Sequence, residues 1–387
     1  MHRPFLCIYS KRSTAEMKPK VTFIVPCYKL AHLLRKCVRS ILFQTFQDFE
    51  VLIMDDCSPD NTPEVAASFR DPRVKHIRNE PNLGHLKNYN KGISLAEGDY
   101  IWLISADDSL RSPRVLDRYV ELLEHNPNVG FAYCPAIKVV NDQERGVMRY
   151  SEISPADTIV NGRKLLLDHL LEMNIIPAPA AMARKKCYEQ FGMFPLDLPH
   201  AGDWYLWSMF ALYFDVGYFA EPMVNRHFHE QNMSSVFYRE ATLALFENNL
   251  AIPLRIQERA RSEGFNEIAR ACTRALAIEY LRQASPPKPG DPVLVFLDDQ
   301  EFEDSLHHHV FDPREQSAIR AYVYAALADH YYDLNDLARS LRYYGRALQA
   351  KPASAKVWLK YVLLRTGGVG TFLRNRISIA KRQLTKN

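Results

Sequence analysis

No stretch of this chain approaches the roughly 20 consecutive apolar residues that a bilayer-spanning helix requires. Met1 to Lys18 also lacks the apolar centre of a secretory signal. Cysteine is scarce: seven among 387 residues, widely scattered, with no Cys-x-x-Cys pair. That excludes a disulfide framework and favours reduced thiols in a cytosolic compartment, so the expected location is cytoplasmic. Excess charge of one sign is absent too. A formal net charge of +4 over 387 residues supplies no bulk attraction for nucleic acid, and no nucleic-acid partner is expected. What remains is an apolar content of 47%, ample for sizeable cores, in a chain long enough for two or three domains.

One segment departs from this ordinary background. The run Tyr100-Ile101-Trp102-Leu103-Ile104 reads as a buried strand, and it leads into Ser105-Ala106-Asp107-Asp108. Two adjacent carboxylates at the end of such a strand are costly unless something positive sits there. A divalent cation holding a diphosphate meets that need, because hard cations take oxygen ligands and bridge phosphate oxygens.

The surrounding pattern alternates. Val21 to Val25 reads as a strand ended by Pro26, and Leu33, Leu34, Cys37, Val38, Ile41 and Leu42 then recur at helical spacing. Phe49 to Met54 is a second strand running into Asp55-Asp56, followed by a helix starting near Pro63. Val74 to Ile77 is a short strand, Leu86 to Ala96 a helix, and Pro113 to Leu123 another, with Leu116, Val120 and Leu123 on one face. Such alternation predicts an α/β fold with a mainly parallel, doubly wound sheet. Ligands of these sheets bind at the carboxyl ends of the strands. Pro26-Cys27-Tyr28, Asp55-Asp56 and Asp107-Asp108 all fall at such ends.

Residues 20–235 resemble a family 2 glycosyltransferase of the GT-A fold. The resemblance rests on Val-Pro-Cys-Tyr (25–28), Ser-Ile-Leu-Phe-Gln-Thr-Phe (40–46), Met-Asp-Asp-Cys-Ser-Pro-Asp (54–60), Asn82-Leu83-Gly84, Asn90-Lys91-Gly92-Ile93 and Glu97-Gly98-Asp99-Tyr100. Ser-Ala-Asp-Asp (105–108), Gly192-Met193-Phe194 and Gly202-Asp203-Trp204 complete it. Each motif alone is weak; their order and spacing over more than half the chain are specific. The resemblance implies inverting transfer of a sugar from a nucleotide-diphosphate donor, a UDP- or dTDP-sugar being favoured, to an acceptor hydroxyl. That acceptor would be a glycan, glycolipid or protein, and the metal Mn²⁺ or Mg²⁺.

Site residues follow from the same resemblance. Asp56 would hold the base or ribose of the donor, with Pro26 and Tyr28 on the rim; Asp55 reads rather as a cap or turn residue. Asp108 would ligate the metal and Asp107 contact ribose or sugar, the alternative being a helix cap ahead of Ser112-Pro113. Many relatives carry an acid where Ser105 stands, which leaves the division between the two aspartates open. Asp203 would be the catalytic base, a role compatible with capping the helix that follows. His229, in a His-x-x-Asn-x-Ser stretch ending at Ser234, would approach metal or diphosphate. His227 competes with it, and on one strand the two would share a face. The cluster His307-His308-His309 reads as a solvated surface turn.

The remainder is helical. Thr242 to Ala284 reads as two helices broken near Gly264, before a proline-rich linker at 285–290. Tyr324, Leu327, Ala328, Tyr331, Ser340, Tyr344, Ala347, Pro352 and Trp358 fall at spacings that resemble one tetratricopeptide repeat and the start of a second. It would pack structurally, form a homo-oligomer or bind a partner. From Gly367 to Asn387 there is no acid, and Leu373, Ile377, Ala380 and Leu384 share a helical face. That tail is either a basic amphipathic helix for peripheral membrane contact or an ordinary terminus. The expected organisation is a flexible leader (1–19), the GT-A domain (20–235), a helical extension (236–312), a tetratricopeptide-like hairpin (313–366) and the basic tail (367–387). Two rival readings stand beside the enzyme. One is a catalytically silent scaffold recruiting partners through its helices. The other is a sugar nucleotidyltransferase, disfavoured because Pro26-Cys27-Tyr28-Lys29 replaces the glycine-rich loop that grips a triphosphate.

Overall fold

The computed structural model describes residues 18–229, 232, 242–285 and 296–366. Most of the expected leader, the proline-rich stretch from 286 and the tail 367–387 lie outside the described residues. By its own contacts the chain divides into two units. The first holds the chain up to Thr158, Pro177–Phe194 and Gly217–His227; the second holds Ile159–Ile176, Pro195–Val216 and the chain from Phe228. Two short segments, 159–176 and 195–216, therefore belong with the helical part of the chain, although they precede residue 235.

The strands are β1 (Val21–Cys27), β2 (Phe49–Asp55), β3 (Val74–Arg78), β4 (Tyr100–Leu103), β5 (Ser109–Leu110), β6 (Val129–Tyr133), β7 (Ala136–Val140), β8 (Gln143–Val147), β9 (Thr158–Val160), β10 (Ala181–Arg184), β11 (Asp215–Tyr218) and β12 (Val224–Phe228). In the first unit the main sheet runs β3-β2-β1-β4-β10-β6. β3, β2, β1 and β4 pair in parallel, and β10 inserts antiparallel to both β4 and β6. β1 and β2 are buried at every position, as central parallel strands covered on both faces must be. Helices α1 (Ala31–Leu42), α2 (Thr62–Ala67) and α3 (His85–Leu95) pack on these two strands, while α4 (Val115–His125) packs on β6 and α5 (Lys185–Phe191) on β10. On α4 the expected Leu116, Val120 and Leu123 are buried, joined by Val115 and Tyr119. Trp102 stacks on Phe23 at 5.5 Å and packs on Tyr119 at 4.4 Å, and its indole N–H donates to the carbonyl of Pro179 at 2.8 Å.

The parallel register sets the site. Pro26 pairs with Met54 and Cys27 with Asp55, so both strands end at one level. The amide of Ala106 donates to the carbonyl of Pro26 at 3.2 Å, bringing the chain after β4 to the same edge. A second sheet, β5-β12-β7-β8, lies in this unit. Its β7–β8 hairpin turns at Asn141-Asp142, where φ is +51° and +56°, the sign a two-residue type I′ loop requires.

The second unit carries α6 (Gly202–Tyr213), α7 (Thr242–Ser262), α8 (Asn266–Ala284), α9 (Asp299–His309), α10 (Pro313–Asp333), α11 (Leu337–Ala350) and α12 (Ala355–Arg365). Its core joins Leu250, Leu276, Tyr280, Phe302, Ile319, Tyr324 and Ala347. In the α10–α11 hairpin the Ser340 hydroxyl donates to the carbonyl of Ala328 at 2.8 Å, so two small residues meet where the helices pack. Trp358 is 47% exposed, its N–H donating to the carbonyl of Pro352. The three histidines 307–309 do not form a surface turn. They close α9, whose start is fixed by a capping box between Asp298 and Glu301.

Two helices in this unit end in the same hydrogen-bond pattern with different residues at the left-handed position. After α7 the amides of Gly264 and Phe265 reach the carbonyls of Arg261 and Ala260; after α10 those of Asn335 and Asp336 reach Tyr332 and Tyr331. The φ values are +76° at Gly264 and +63° at Asn335. A Cβ on Gly264 meets nothing within 4 Å, so its cost is conformational alone. Gly264→Ala should destabilise by about 1–2 kcal/mol and Asn335→Gly should stabilise by about 0.5–1 kcal/mol. Urea unfolding midpoints measure both, and shifts of the same sign in the two variants contradict the account.

Candidate active site

At the end of β2 the two carboxylates already have work to do. Asp55 is fully buried and accepts from the amide of Ser58 at 2.8 Å and from Arg78 at 2.6 Å, with His76 at 3.2 Å. Asp56, also buried, accepts from the Asn79 side chain at 2.9 Å and from the amides of Leu83 and Gly84 at 2.8 and 3.0 Å. Asn79 in turn accepts from Lys91 at 2.6 Å. An ionised carboxylate offers about four lone-pair sites, so Asp56 keeps room for about one further donor. Its first task is to shape the loop from Asn79 to Gly84. Asn82-Leu83-Gly84 and Asn90-Lys91 stand out in the sequence as motifs, but the bonds that link them to Asp56 and Asn79 do not.

The rim after β1 is built from a buried Pro26 and a Tyr28 that is 43% exposed. Lys29 follows in the left-handed region, with φ +59°, and its ammonium lies 5.0 Å from the Tyr28 ring centre. Burial pushes the Cys27 thiol up to about 12, against the hydrogen bond from Thr62, so this cysteine is packing rather than a nucleophile.

Asp107 and Asp108 are both buried, at 8% and 6% exposure. The Asp108 carboxylate accepts from the backbone amide of His227 at 3.0 Å. That contact exists because β5 pairs antiparallel with β12, Leu110 opposite Val224. Burial pushes the Asp108 carboxyl well above the usual carboxylate range, and the charge of Asp107 adds to it; the His227 amide and Arg226 oppose. The His227 ring nitrogen Nε2 lies 3.2 Å from the Lys36 ammonium. β12 ends at Phe228, so strand alternation does not carry through to His229. The amide of His229 instead donates to the Asn232 side chain, and the Asn232 amide returns a bond to the His229 carbonyl at 3.1 Å.

Asp203 belongs to the second unit. It sits in the first turn of α6 rather than at its cap, which is Ala201. Its carboxylate accepts from the Trp204 amide at 2.7 Å and from Asn174 at 3.2 Å. The neighbouring Trp204 anchors the helix through an indole bond to the carbonyl of Leu170.

The first unit thus brings Pro26, Tyr28, Asp56, Asp107 and Asp108 to the carboxyl ends of β1, β2 and β4, while Asp203 and His229 belong to the second. Among the described residues, no three His, Cys, Asp or Glu side chains form a ready-made metal cage. Two adjacent hard-oxygen donors, buried enough for their charges to be costly, nevertheless suit a divalent ion whose remaining ligands come from water or phosphate. No described helix is long and apolar enough to cross a membrane.

The chain is similar to several known proteins. Glycosyltransferase GlyG of Streptococcus pneumoniae is 33% identical over 115 residues, 29% of this chain and 38% of that protein. Succinoglycan biosynthesis protein ExoO of Rhizobium meliloti is 39% identical over 103 residues, 27% of this chain and 29% of that one. The chain therefore spans well under half the length of these two curated relatives. The crystal structure of S. aureus TarS 1–349 in complex with UDP-GlcNAc shares the fold, with a TM-score of 0.58 at 20% identity, over 83% of this chain and 89% of that one. The model of glycosyl transferase family 2 matches residues 22–191, and those residues are a domain of that family.

Proposed function

We propose that this protein transfers a sugar from a nucleotide-diphosphate donor to an acceptor hydroxyl, with inversion at the anomeric carbon and with a divalent metal. The observation that carries this reading is the buried pair Asp107-Asp108 at the end of β4, level with the ends of β1 and β2. Asp108, with Asp107 beside it, would hold Mn²⁺ or Mg²⁺; His229 is the further candidate ligand. Bound there, the ion supplies neutralisation of the leaving diphosphate. Asp56, through its remaining acceptor capacity, and Tyr28, through its exposed ring, would hold the nucleoside. Asp203 would take the proton of the acceptor hydroxyl as the new glycosidic bond forms. The acceptor is a glycan, glycolipid or protein hydroxyl.

TarS was solved with UDP-GlcNAc, which makes that donor the first to try. Thermal shifts and UDP release are to be measured over a panel of UDP-, dTDP- and GDP-sugars with Mn²⁺, Mg²⁺ or EDTA. One donor should raise the melting temperature and release its nucleotide diphosphate in the presence of metal, and EDTA should remove both signals. A panel in which no donor binds, or binding indifferent to EDTA, contradicts the proposal.

A further inference from the structure

A cavity of about 570 Å³ opens within the second unit. That is the size of a small-molecule site, about 300–1,000 Å³. Its walls include Phe296, Tyr331 and Tyr343, and its rim includes Asp299, Arg339 and Arg342. The tyrosines of this lining pack on one another, Tyr324 and Tyr331 being buried. Tyr343 stacks on Tyr331 at 5.5 Å with the planes 4° apart, and on Tyr324 at 5.9 Å. From Tyr324 the contacts continue into the core through Phe302 and Tyr280 at 5.5 and 5.4 Å. Phe296 stands at the mouth, 47% exposed.

The rim is balanced in charge. Arg342 lies 2.6 Å from Asp299, which also accepts from the Tyr343 hydroxyl at 2.8 Å and pairs with Arg346 at 2.7 Å. Arg339 lies 3.5 Å from Asp336 and 5.2 Å from the centre of the Tyr331 ring. An anion entering here competes with Asp299 for Arg342, and a cation competes with Arg342 for Asp299. Neither sign is selected. What the rim does offer is donors and acceptors side by side, guanidinium N–H and carboxylate oxygen, next to the exposed ring of Phe296 and the half-buried ring of Tyr343. A pyranose matches that combination, with hydroxyls around its edge and C–H groups across its face.

We propose that this cavity is a saccharide-binding site and that its ligand is a neutral oligosaccharide of the acceptor class. The proposal rests on the glycosyltransferase reading and adds a second place at which the enzyme grips its acceptor. Tethering an acceptor chain in this way raises its effective concentration without changing the chemistry.

The test uses the full chain. Chitotetraose, maltotetraose and mannotetraose are titrated, with a sulfated oligosaccharide and an acidic peptide as charged controls, and binding is read by saturation-transfer NMR and tyrosine fluorescence. At least one neutral tetrasaccharide should bind. Phe296→Ala and Arg339→Ala should each weaken it by about tenfold or more. Phe296 is 47% exposed and the Arg339 side chain 63%, so melting temperature and UDP-GlcNAc binding should stay close to the wild-type values. Binding by none of the three, binding undiminished in both variants, or preference for a charged control overturns the site. Wild-type protein that binds no nucleotide sugar fails the underlying glycosyltransferase reading instead, and that measurement is made without any saccharide present.

Discussion

Asp203→Asn is expected to lower sugar transfer by about 10²–10⁴-fold, the usual contribution of a general base, while donor binding stays close to wild type. The substitution is well suited to the question. Asparagine keeps the shape of the side chain and retains a carbonyl oxygen for the Trp204 amide, now 2.7 Å from Asp203 Oδ1. It removes the charge and, at the other oxygen, sets an amide against the side chain of Asn174, now 3.2 Å away. The helix itself should survive, because α6 is buried along most of its length and Trp204 ties it to Leu170. Losing a negative charge in its first turn costs about 0.3–1 kcal/mol, well below what transfer loses. Steady-state kinetics with calorimetric donor binding separate the two effects. Turnover unchanged in Asp203→Asn removes the base assignment, and an equal loss of donor affinity recasts the residue as part of the donor site.

Much of the first unit was legible because its strands are long and apolar. Val21 to Val25 and Phe49 to Met54 could hardly be anything but buried strands, and both are. What could not be read was pairing that depends on distant partners. β10 is the four-residue Ala-Met-Ala-Arg, too short and mixed to announce a strand, yet it lies between β4 and β6. β5 has two residues, and only its pairing with β12 brings the His227 amide to Asp108, 119 residues away. Asp56 illustrates the same limit from the other side. Its position after a strand was plain, but the amides it holds at Leu83 and Gly84 are backbone groups that no residue type reveals. At His307–His309 the helix is signalled further upstream: Asp298 and Glu301 stand at capping-box spacing ahead of Phe302 and Leu306, which share a face.

Asp108→Asn is expected to stabilise the ligand-free protein and to weaken metal-dependent donor binding severely. Both effects have one cause. Asp108 and Asp107 are adjacent and nearly buried, so burial and mutual repulsion each penalise the ionised pair. Asparagine relieves that penalty and can still accept from the His227 amide. A gain of about 1 kcal/mol would raise the melting temperature of a unit this size by about 2–4 °C. Binding moves the other way. Truncating one partner of a buried charge contact costs about 2–5 kcal/mol, or about 30- to 5,000-fold in affinity. A purely structural aspartate, such as a helix cap, predicts the opposite pattern: lower stability with donor affinity intact. Melting curves of both proteins with EDTA, followed by donor titrations with Mn²⁺, distinguish the two roles. Opposite signs in the two measurements would mark the pair as a site held at the expense of the fold.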